Sequence, residues 1–355
     1  MKREPAHVLV SDFVEAGLKY PRQEVPRNGI HECVELGEVV NSVPPSAACI
    51  PAHELRSHVL ILGATGTGKT NTAALLAWEA SRKGLYERVV VVDWHGEYGE
   101  LLGRKPVEAR SLPLKLVEPG DREGTVEVLS DVMELTPSQE YVLEKALEVK
   151  GVEGVARLLS AVEGLVDESS WFRESRLALA RRLRPLAKHK ELFDARTRDP
   201  LPTGTLVIDV SEIRSEEARK AYVAALLRAL LDEAVARRGG APRTMVVLEE
   251  ASHVLNRERP LRIAVSMLNE VRKLGISLVV VAQSPHGLAE EAMANTSVKV
   301  IHSVKSAVDL ELLNRVLYMP EELATLVPYM ERGEAILFAS SFKKPVLTKV
   351  RIMRS

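Results

Sequence analysis

Residues 63–70 read Gly63-Ala64-Thr65-Gly66-Thr67-Gly68-Lys69-Thr70, between Val59-Leu60-Ile61-Leu62 and Asn71-Thr72-Ala73-Ala74-Leu75-Leu76. The spacing is G-x-x-x-x-G-K-[ST], with an apolar strand before it and a helix opening after it. Glycines at 63, 66 and 68 let the backbone curl, so that successive N–H groups face one concavity able to cradle phosphates. The helix N-terminus behind them adds partial positive charge. Gly63 to Asn71 are therefore the expected nucleotide-binding residues, with Lys69 reaching the β- and γ-phosphates and the Thr70 hydroxyl ligating Mg²⁺. The alternative is a Gly-rich turn followed by a chance Gly-Lys-Thr, which the flanking strand and helix argue against. ATP and Mg²⁺ are the expected cofactors.

The chain has 355 residues, which suits one large α/β domain with an insertion, or two domains. Its 46% apolar and 27% charged content is that of a water-soluble globular protein. A formal net charge of −1 means that any nucleic-acid contact must come from local patches. Only Cys33 and Cys49 are present, away from any CxxC or Cys/His cluster, which fits a reducing cytoplasm and argues against a structural zinc. No apolar h-region opens the chain and no stretch reaches transmembrane length, so the expected location is cytoplasmic and off the membrane. Gln occurs only at 23, 139 and 283, and Arg and Glu are abundant, a bias seen in thermophile proteins.

Residues 1–57 are Pro-rich and irregular, with short β-like pieces at Val8-Leu9-Val10 and Val39-Val40; Asn41–Pro51 reads as a linker wrapping onto the core. From 58 onward, strand candidates at His58–Leu62, Val89–Asp93, Thr205–Val210, Met245–Glu249, Ser277–Ala282, Val298–His302 and Ala335–Ala339 alternate with helices, notably 70–83, 215–238 and 260–274. Continuous β-branched runs separated by helices predict an α/β fold with a mostly parallel sheet covered on both faces. A last strand at Val346–Ile352 is expected to pair at one edge. Between about 100 and 203 strand signals are few, and helices over 137–150, 154–166 and 171–190 predict an all-helical insertion. Its stretch 173–190 carries Arg173, Arg176, Arg181, Arg182, Arg184, Lys188 and Lys190, with Leu177, Leu179, Leu183 and Leu186 as an apolar face. A solvated basic face on a packed helix is one reading, nucleic-acid or subunit contact the other.

A phosphate-binding loop that hydrolyses its ligand needs an acid on a second strand and a group that orients water. Met245-Val246-Val247-Leu248-Glu249-Glu250 supplies both where a strand leaves the sheet. Glu249 would meet Mg²⁺ through water, and Glu250 would polarise the attacking water. The alternative is two acids in an exposed turn. At the end of the next strand, Gln283 is placed to bond the γ-phosphate or the attacking water. Upstream, Arg272 and Lys273 end a helix; they either compensate its dipole or deliver an arginine finger into a neighbouring subunit's site.

Together, Gly63–Thr70, Val-Val-Asp-Trp-His-Gly-Glu-Tyr at 91–98, Glu-Glu-Ala-Ser-His at 249–253 and Arg-Lys-Leu-Gly-Ile-Ser-Leu-Val-Val-Val-Ala-Gln-Ser-Pro at 272–285 resemble the HerA branch of the HerA–FtsK superfamily. So does Arg-Gly-Glu-Ala-Ile-Leu-Phe at 332–338 followed by Lys-Pro-Val-Leu at 344–347. The resemblance covers about 58–352 and implies a RecA-like P-loop core over 58–355, preceded by a short extension at 1–57. It implies a hexameric ATPase that moves double-stranded DNA, with a NurA-type nuclease as a partner in end processing. Lys69 and Thr70 match the Walker A pair, Glu249 and Glu250 the Walker B pair, Gln283 the sensor and Arg272 the trans finger. Asp93, His95 and Glu97 fall on the second-strand motif and are expected near the nucleotide or a subunit interface.

Three departures stand out. Glu249 occupies a position where the family usually has Asp, Ser284 one where Arg commonly follows the sensor, and with 57 residues before the core the family's N-terminal β-barrel is expected to be reduced to a strand or two, or absent. The departures leave a second reading open: a nucleotide-dependent assembly scaffold or switch in a defence, packaging or secretion system. A small-molecule kinase would need neither the finger segment nor the sensor.

Overall fold

The computed structural model describes residues 32–166, 169–193, 200–237 and 243–353; the piece expected at Val8-Leu9-Val10 lies outside them. The strands in chain order are β1 (Cys33–Val39), β2 (Ala47–Pro51), β3 (Val59–Leu62), β4 (Arg88–Asp93), β5 (Val107–Glu108), β6 (Gly204–Asp209), β7 (Thr244–Leu248), β8 (Ile276–Ala282), β9 (Val298–His302), β10 (Glu334–Phe338) and β11 (Val346–Val350). The longer helices are α1 (Lys69–Arg82), α2 (Arg122–Met133), α3 (Pro137–Leu147), α4 (Gly154–Gly164), α5 (Ser170–Lys188), α6 (Glu216–Ala236), α7 (Arg262–Glu270) and α8 (Ala307–Leu317).

The strands join one sheet in the order β2-β1-β11-β10-β9-β3-β8-β7-β4-β6-β5. Neighbours from β9 to β5 run parallel, and neighbours from β2 to β9 run antiparallel. β3 is apolar at every position, and β4, β7 and β8 carry continuous apolar runs, because both faces of the sheet are covered. Val59, Ile61, Val89 and Val91 feed the core layer beneath α1, whereas Leu60, Leu62, Val90 and Val92 feed the layer beneath α2 to α7. Alternate side chains of one strand point to opposite faces, so two cores are built from one uninterrupted run.

Four expectations change. β11 is not at an edge: it lies between β10 and β1, because the β1–β2 hairpin takes its free side. The expected linker over 41–51 ends in β2, whose alternate residues Ala48 and Ile50 are buried. Helix α2, which the sequence reading did not single out, is started by Asp121, whose carboxylate accepts from the Gly124 N–H at 3.0 Å. Leu177 stands 49% exposed, whereas Leu179, Leu183 and Leu186 form the buried stripe of α5. Several α5 cations are bound within the chain: Arg176 donates to the Glu163 carbonyl, Arg184 pairs with the Glu163 carboxylate and Arg182 donates to the Met133 carbonyl. These contacts favour the packed-helix reading of that basic face. Among the described residues no helix is long and apolar enough to cross a membrane.

Cys33 and Cys49, solitary in sequence, are bonded to each other with Cα atoms 5.8 Å apart. The hairpin register pairs Cys33 with Pro51 and Glu35 with Cys49, which makes the cysteines diagonal neighbours across β1 and β2. The bond closes a sequence separation of 16 residues, for which loop-closure entropy gives up to about 3 kcal/mol. Reducing agent should therefore lower the thermal midpoint of the wild type and leave Cys33→Ser unmoved. An equal shift in both, read by differential scanning calorimetry, would show that the bond adds nothing.

Candidate nucleotide-binding site

The chain leaves β3 through Gly63, whose φ is +153° and where a Cβ would stand 2.5 Å from the His302 Cβ. Gly68 (φ +112°) opens α1, and a Cβ there would stand 3.3 Å from the Gly333 nitrogen. Both positions need glycine, for conformation and for room. The loop between them is pinned from three sides. The Ala64 N–H donates to the Ser303 carbonyl (2.8 Å), the Thr67 hydroxyl to the Ala64 carbonyl (2.7 Å) and the Gly333 N–H to the Thr67 carbonyl (2.9 Å). Underneath, the buried His302 ring faces the Glu334 carbonyl through Nδ1 at 3.0 Å and the Thr72 hydroxyl through Nε2 at 2.9 Å. A carbonyl only accepts, so Nδ1 carries the proton and Nε2 accepts from Thr72.

The acids converge on this loop. The Thr70 hydroxyl donates to Glu249 Oε1 at 3.2 Å. Gln283 spans the gap: its Nε2 donates to Glu250 Oε1 at 2.6 Å, and its Oε1 accepts from the Thr65 hydroxyl at 3.1 Å. Glu250 itself has φ +44°, a left-handed conformation that is costly for a side-chain-bearing residue and common at functional positions. Lys69 is buried and donates to the Ala64 carbonyl at 3.0 Å. Burial lowers its pKa, against the opposing pull of Glu250 and Glu249. Lys69, Thr70, Glu249, Glu250 and Gln283 thus meet at the carboxyl ends of β3, β7 and β8.

Arg272 does not join them. It precedes β8 and so lies at the other edge of the sheet, where its charge adds to burial in lowering the pKa of His58. The seven residues of β8 separate it from Gln283, roughly 20 Å at a strand's rise per residue.

The second-strand motif divides into different jobs. Asp93 is fully buried; its Oδ1 accepts from the N–H groups of His95, Gly96 and Glu97, and its Oδ2 from that of Tyr98. It fixes the turn after β4 and so aims its neighbours. His95 Nε2 comes within 3.7 Å of Glu250 Oε1. Sequence reasoning missed three further features. Trp94 stacks on His253 with centroids 4.3 Å apart, with the Arg219 guanidinium 5.1 Å from its ring. Tyr98 is buried with its hydroxyl unpartnered among the described residues, and burial followed by the charge of Glu249 raises its pKa. Ser284, at the family's usual Arg position, donates to the buried Asp309 in the first turn of α8 at 2.7 Å. An apolar strand followed by polar residues marks Ser284 as a strand-end group, but no local signal names a partner 25 residues on.

Burial, then Asp93, raises the pKa of Glu249 to about 8, opposed by the Thr70 hydrogen bond, and its Oε2 is buried without a partner among the described residues. An orphaned carboxylate oxygen beside a threonine hydroxyl is a donor set suited to Mg²⁺, a hard cation that keeps several waters and adds phosphate oxygens. Among the described residues no group of three or more His, Cys, Asp or Glu side chains could hold a metal. Mg²⁺ at a phosphate site needs none.

A glycine loop between a buried strand and a helix, faced by paired acids at the carboxyl edge of a mostly parallel sheet, defines a RecA-like P-loop NTPase. Residues 34–230 match the family model described as "Helicase HerA, central domain", and the chain belongs to that family, in the HerA branch of the HerA–FtsK superfamily. It is 24% identical over 337 residues to the DNA double-strand break repair helicase HerA of Sulfurisphaera tokodaii, covering 85% of this chain and 66% of the relative. To the protein of that name from Saccharolobus solfataricus it is 24% identical over 327 residues, covering 82% and 64%. The chain thus spans just under two thirds of the length of these curated relatives. In fold it is similar to VirB4 of Thermoanaerobacter pseudethanolicus (TM-score 0.73, 19% identity, 93% of this chain and 98% of that one). It is also similar to the plasmid coupling protein TrwB in complex with ADP and Mg²⁺ (TM-score 0.67, 17% identity, 86% and 87%).

Two outcomes follow from the buried charges. Burial pushes His58 and His302 down to about 4 from 6.5, so the unfolded chain binds more protons than the folded one between those values. Stability is present above the unfolded value and lost as pH falls through the window, by about 2 kcal/mol per histidine at a pH near 5. Denaturant titrations at neutral and mildly acidic pH should show that loss, and His302→Gln should remove roughly half of it; an unchanged slope would mean that the ring is not buried neutral. Separately, Glu249→Gln should raise nucleotide-free stability at neutral pH by about 1 kcal/mol or more, because it removes a carboxyl that is ionised in the unfolded chain and must take up a proton to be buried. A lower midpoint in urea would contradict that.

Proposed function

We propose that the chain hydrolyses ATP with Mg²⁺ and uses the cycle to move double-stranded DNA, acting as a homohexameric ring. The observation that carries the hydrolytic part is the Gln283 bridge, which joins Glu250 to the phosphate loop at Thr65. A glutamine so held places the general base, the loop and the sensor within one hydrogen-bonded group.

In this reading Lys69 neutralises the β- and γ-phosphate oxygens, and N–H groups from Gly63 to Asn71 cradle the chain of phosphates. Mg²⁺, held by Thr70 and through water by Glu249, would supply charge neutralisation between the phosphates when bound. Glu250 takes the proton of the attacking water as the new oxygen–phosphorus bond forms and the bond to the β–γ bridging oxygen breaks, releasing ADP and phosphate. Gln283 orients that water. Its loss of the γ-phosphate passes to Ser284 and, through Asp309, to α8. Arg272, at the far edge of its own sheet, would act as a finger in the site of a neighbouring subunit if the chain forms a ring, the alternative being compensation of the helix it ends.

The relatives' printed role in DNA double-strand break repair supports DNA as substrate, and the resemblance extends the proposal to a NurA-type nuclease partner; the cytoplasmic location expected from the sequence loses its cysteine argument, because Cys33 and Cys49 are bonded to each other. Residues 58–355 are read as the ATPase core, 100–203 as its helical insertion and 1–57 as an extension.

Lys69→Ala should abolish ATP turnover, and Glu250→Gln should keep ATP bound while lowering kcat by a factor of about 100 or more. Phosphate-release assays with and without double-stranded DNA, paired with light scattering, check this. Normal turnover in Glu250→Gln would remove Glu250 as the base. Slow turnover indifferent to DNA would replace the motor with a nucleotide-dependent assembly switch.

A further inference from the structure

His95 stands beside the proposed base with no part in the hydrolytic steps, and its backbone is fixed more firmly than its exposure suggests. Asp93 Oδ1 accepts from the His95, Gly96 and Glu97 N–H groups at 3.2, 2.8 and 3.2 Å. Gly96 takes φ +77°, a left-handed turn that glycine adopts without strain. On the other side of His95, Trp94 is buried and stacks on His253 with an interplanar angle of 17°. The Arg219 guanidinium beside Trp94 is itself held by the Ser211 and Ile213 carbonyls, at 3.2 and 2.8 Å. His253 belongs to the turn that carries Glu250, because its N–H donates to the Glu250 carbonyl at 3.0 Å. The aromatic stack therefore clamps the turn after β4 to the turn after β7, and so sets how far His95 stands from Glu250. The imidazole is 55% exposed, with Nε2 3.7 Å from Glu250 Oε1.

We infer that His95 is a positioning residue, which holds Glu250 once Gln283 has turned to the nucleotide. The inference rests on Glu250 being the base and adds the group that aims it. Gln283 spends its amide on Glu250 Oε1 at 2.6 Å and on the Thr65 hydroxyl at 3.1 Å. Orienting the attacking water draws that amide toward the bound phosphates and away from Glu250, whose Oε1 then loses its donor. The terminal torsion of a glutamate is soft, so an unheld carboxylate presents its oxygens to the water in many directions. His95 Nε2 approaches the same oxygen that Gln283 holds. A hydrogen bond there needs a separation of about 2.9 Å, so the gap closes by less than about 1 Å, a tightening that catalytic contacts commonly show when substrate binds. With Oε1 held by the imidazole N–H, Oε2 is left to face the water and take its proton. The role asks for a donor at Nε2, which the neutral Nε2–H tautomer and the imidazolium both supply. The ring neither gains nor loses a proton in the step; the proton of the water goes to Glu250.

The test is phosphate release by the full chain with ATP, Mg²⁺ and double-stranded DNA. It compares wild type, His95→Ala, His95→Gln, Glu250→Gln and the double variant His95→Ala with Glu250→Gln. A ring this exposed can be removed without unfolding the chain, and melting curves check that. His95→Ala should lower kcat roughly tenfold and leave KM within about twofold, because the lost contact acts on the base and not on substrate binding. His95→Gln returns an N–H donor at similar reach and should recover to within about threefold of wild type. In single-turnover measurements the double variant should be no slower than Glu250→Gln, since residues that act through one carboxylate are not additive. Unchanged kcat in His95→Ala would overturn the inference, as would a raised KM at unchanged kcat, which would assign the ring to nucleotide contact. His95→Gln as slow as His95→Ala would show that the ring works by titrating and not by donating. A further loss in the double variant would show that His95 acts apart from Glu250. Glu250→Gln turning over like wild type would end the base reading itself, whereas an inactive Glu250→Gln beside an unimpaired His95→Ala would end only the role of His95.

Discussion

The parallel pairing of β3, β8 and β7 is the constraint on which the site depends. Leu62 lies level with Ala282, and Leu248 level with Val280, so β3 and β8 end level and β7 ends two residues short of them, on the same edge. The residue after each end is then a site residue: Gly63 opens the phosphate loop, Gln283 bridges, and Glu249 begins the acid pair. Parallel strands make this possible because each needs a crossover helix, which returns the chain to the opposite edge and leaves every strand pointing the same way. A one-residue slip of β7 would exchange its two core faces and carry Glu249 away from Thr70. Because Val246 and Leu248 pack in one core layer and Met245 and Val247 in the other, such a slip is heavily penalised.

The electrostatics show a site built at the expense of stability. Asp93, Glu97, Glu249 and Glu250 are gathered at one edge, and the first-named is fully buried. Asp93 is offset by four backbone N–H groups, whereas Glu249 has only Thr70 for one of its oxygens. The difference separates a carboxylate that serves the backbone from one suited to a cation. The fully buried His302 works in the opposite sense. It stays neutral beneath Lys69, so the loop rests on a hydrogen-bonded ring instead of a second cation.

Where the strands and their ends lie was legible in the sequence, because β-branched runs flanked by turn residues report local structure directly. Glu249, Glu250 and Gln283 could be chosen because each sits one or two residues past such a run, and Lys69 and Thr70 because they close the glycine loop that follows one. The antiparallel end was less legible. β1 alternates apolar residues with Glu35, Gly37 and Glu38, Pro44 and Pro45 separate it from the five-residue β2, and the partner of β11 is β1, more than three hundred residues earlier. The bond between Cys33 and Cys49 was invisible for a like reason: their proximity is a property of the hairpin register. Leu177 shows the limit of composition. It sits among leucines that are buried, yet the turn of α5 carries it outward.

The sequence by itself determined the phosphate loop, the order of the strands along the chain and the identity of the acids, because these depend on contacts between residues near one another. Only the tertiary structure decided that Gln283 holds Glu250, that Ser284 meets Asp309, that Arg272 stands at the far edge and that the tail at 351–353 crosses Asn71. Those pairings join groups far apart in the chain. Their geometry is set by sheet register and helix crossover, which no local pattern of side chains records.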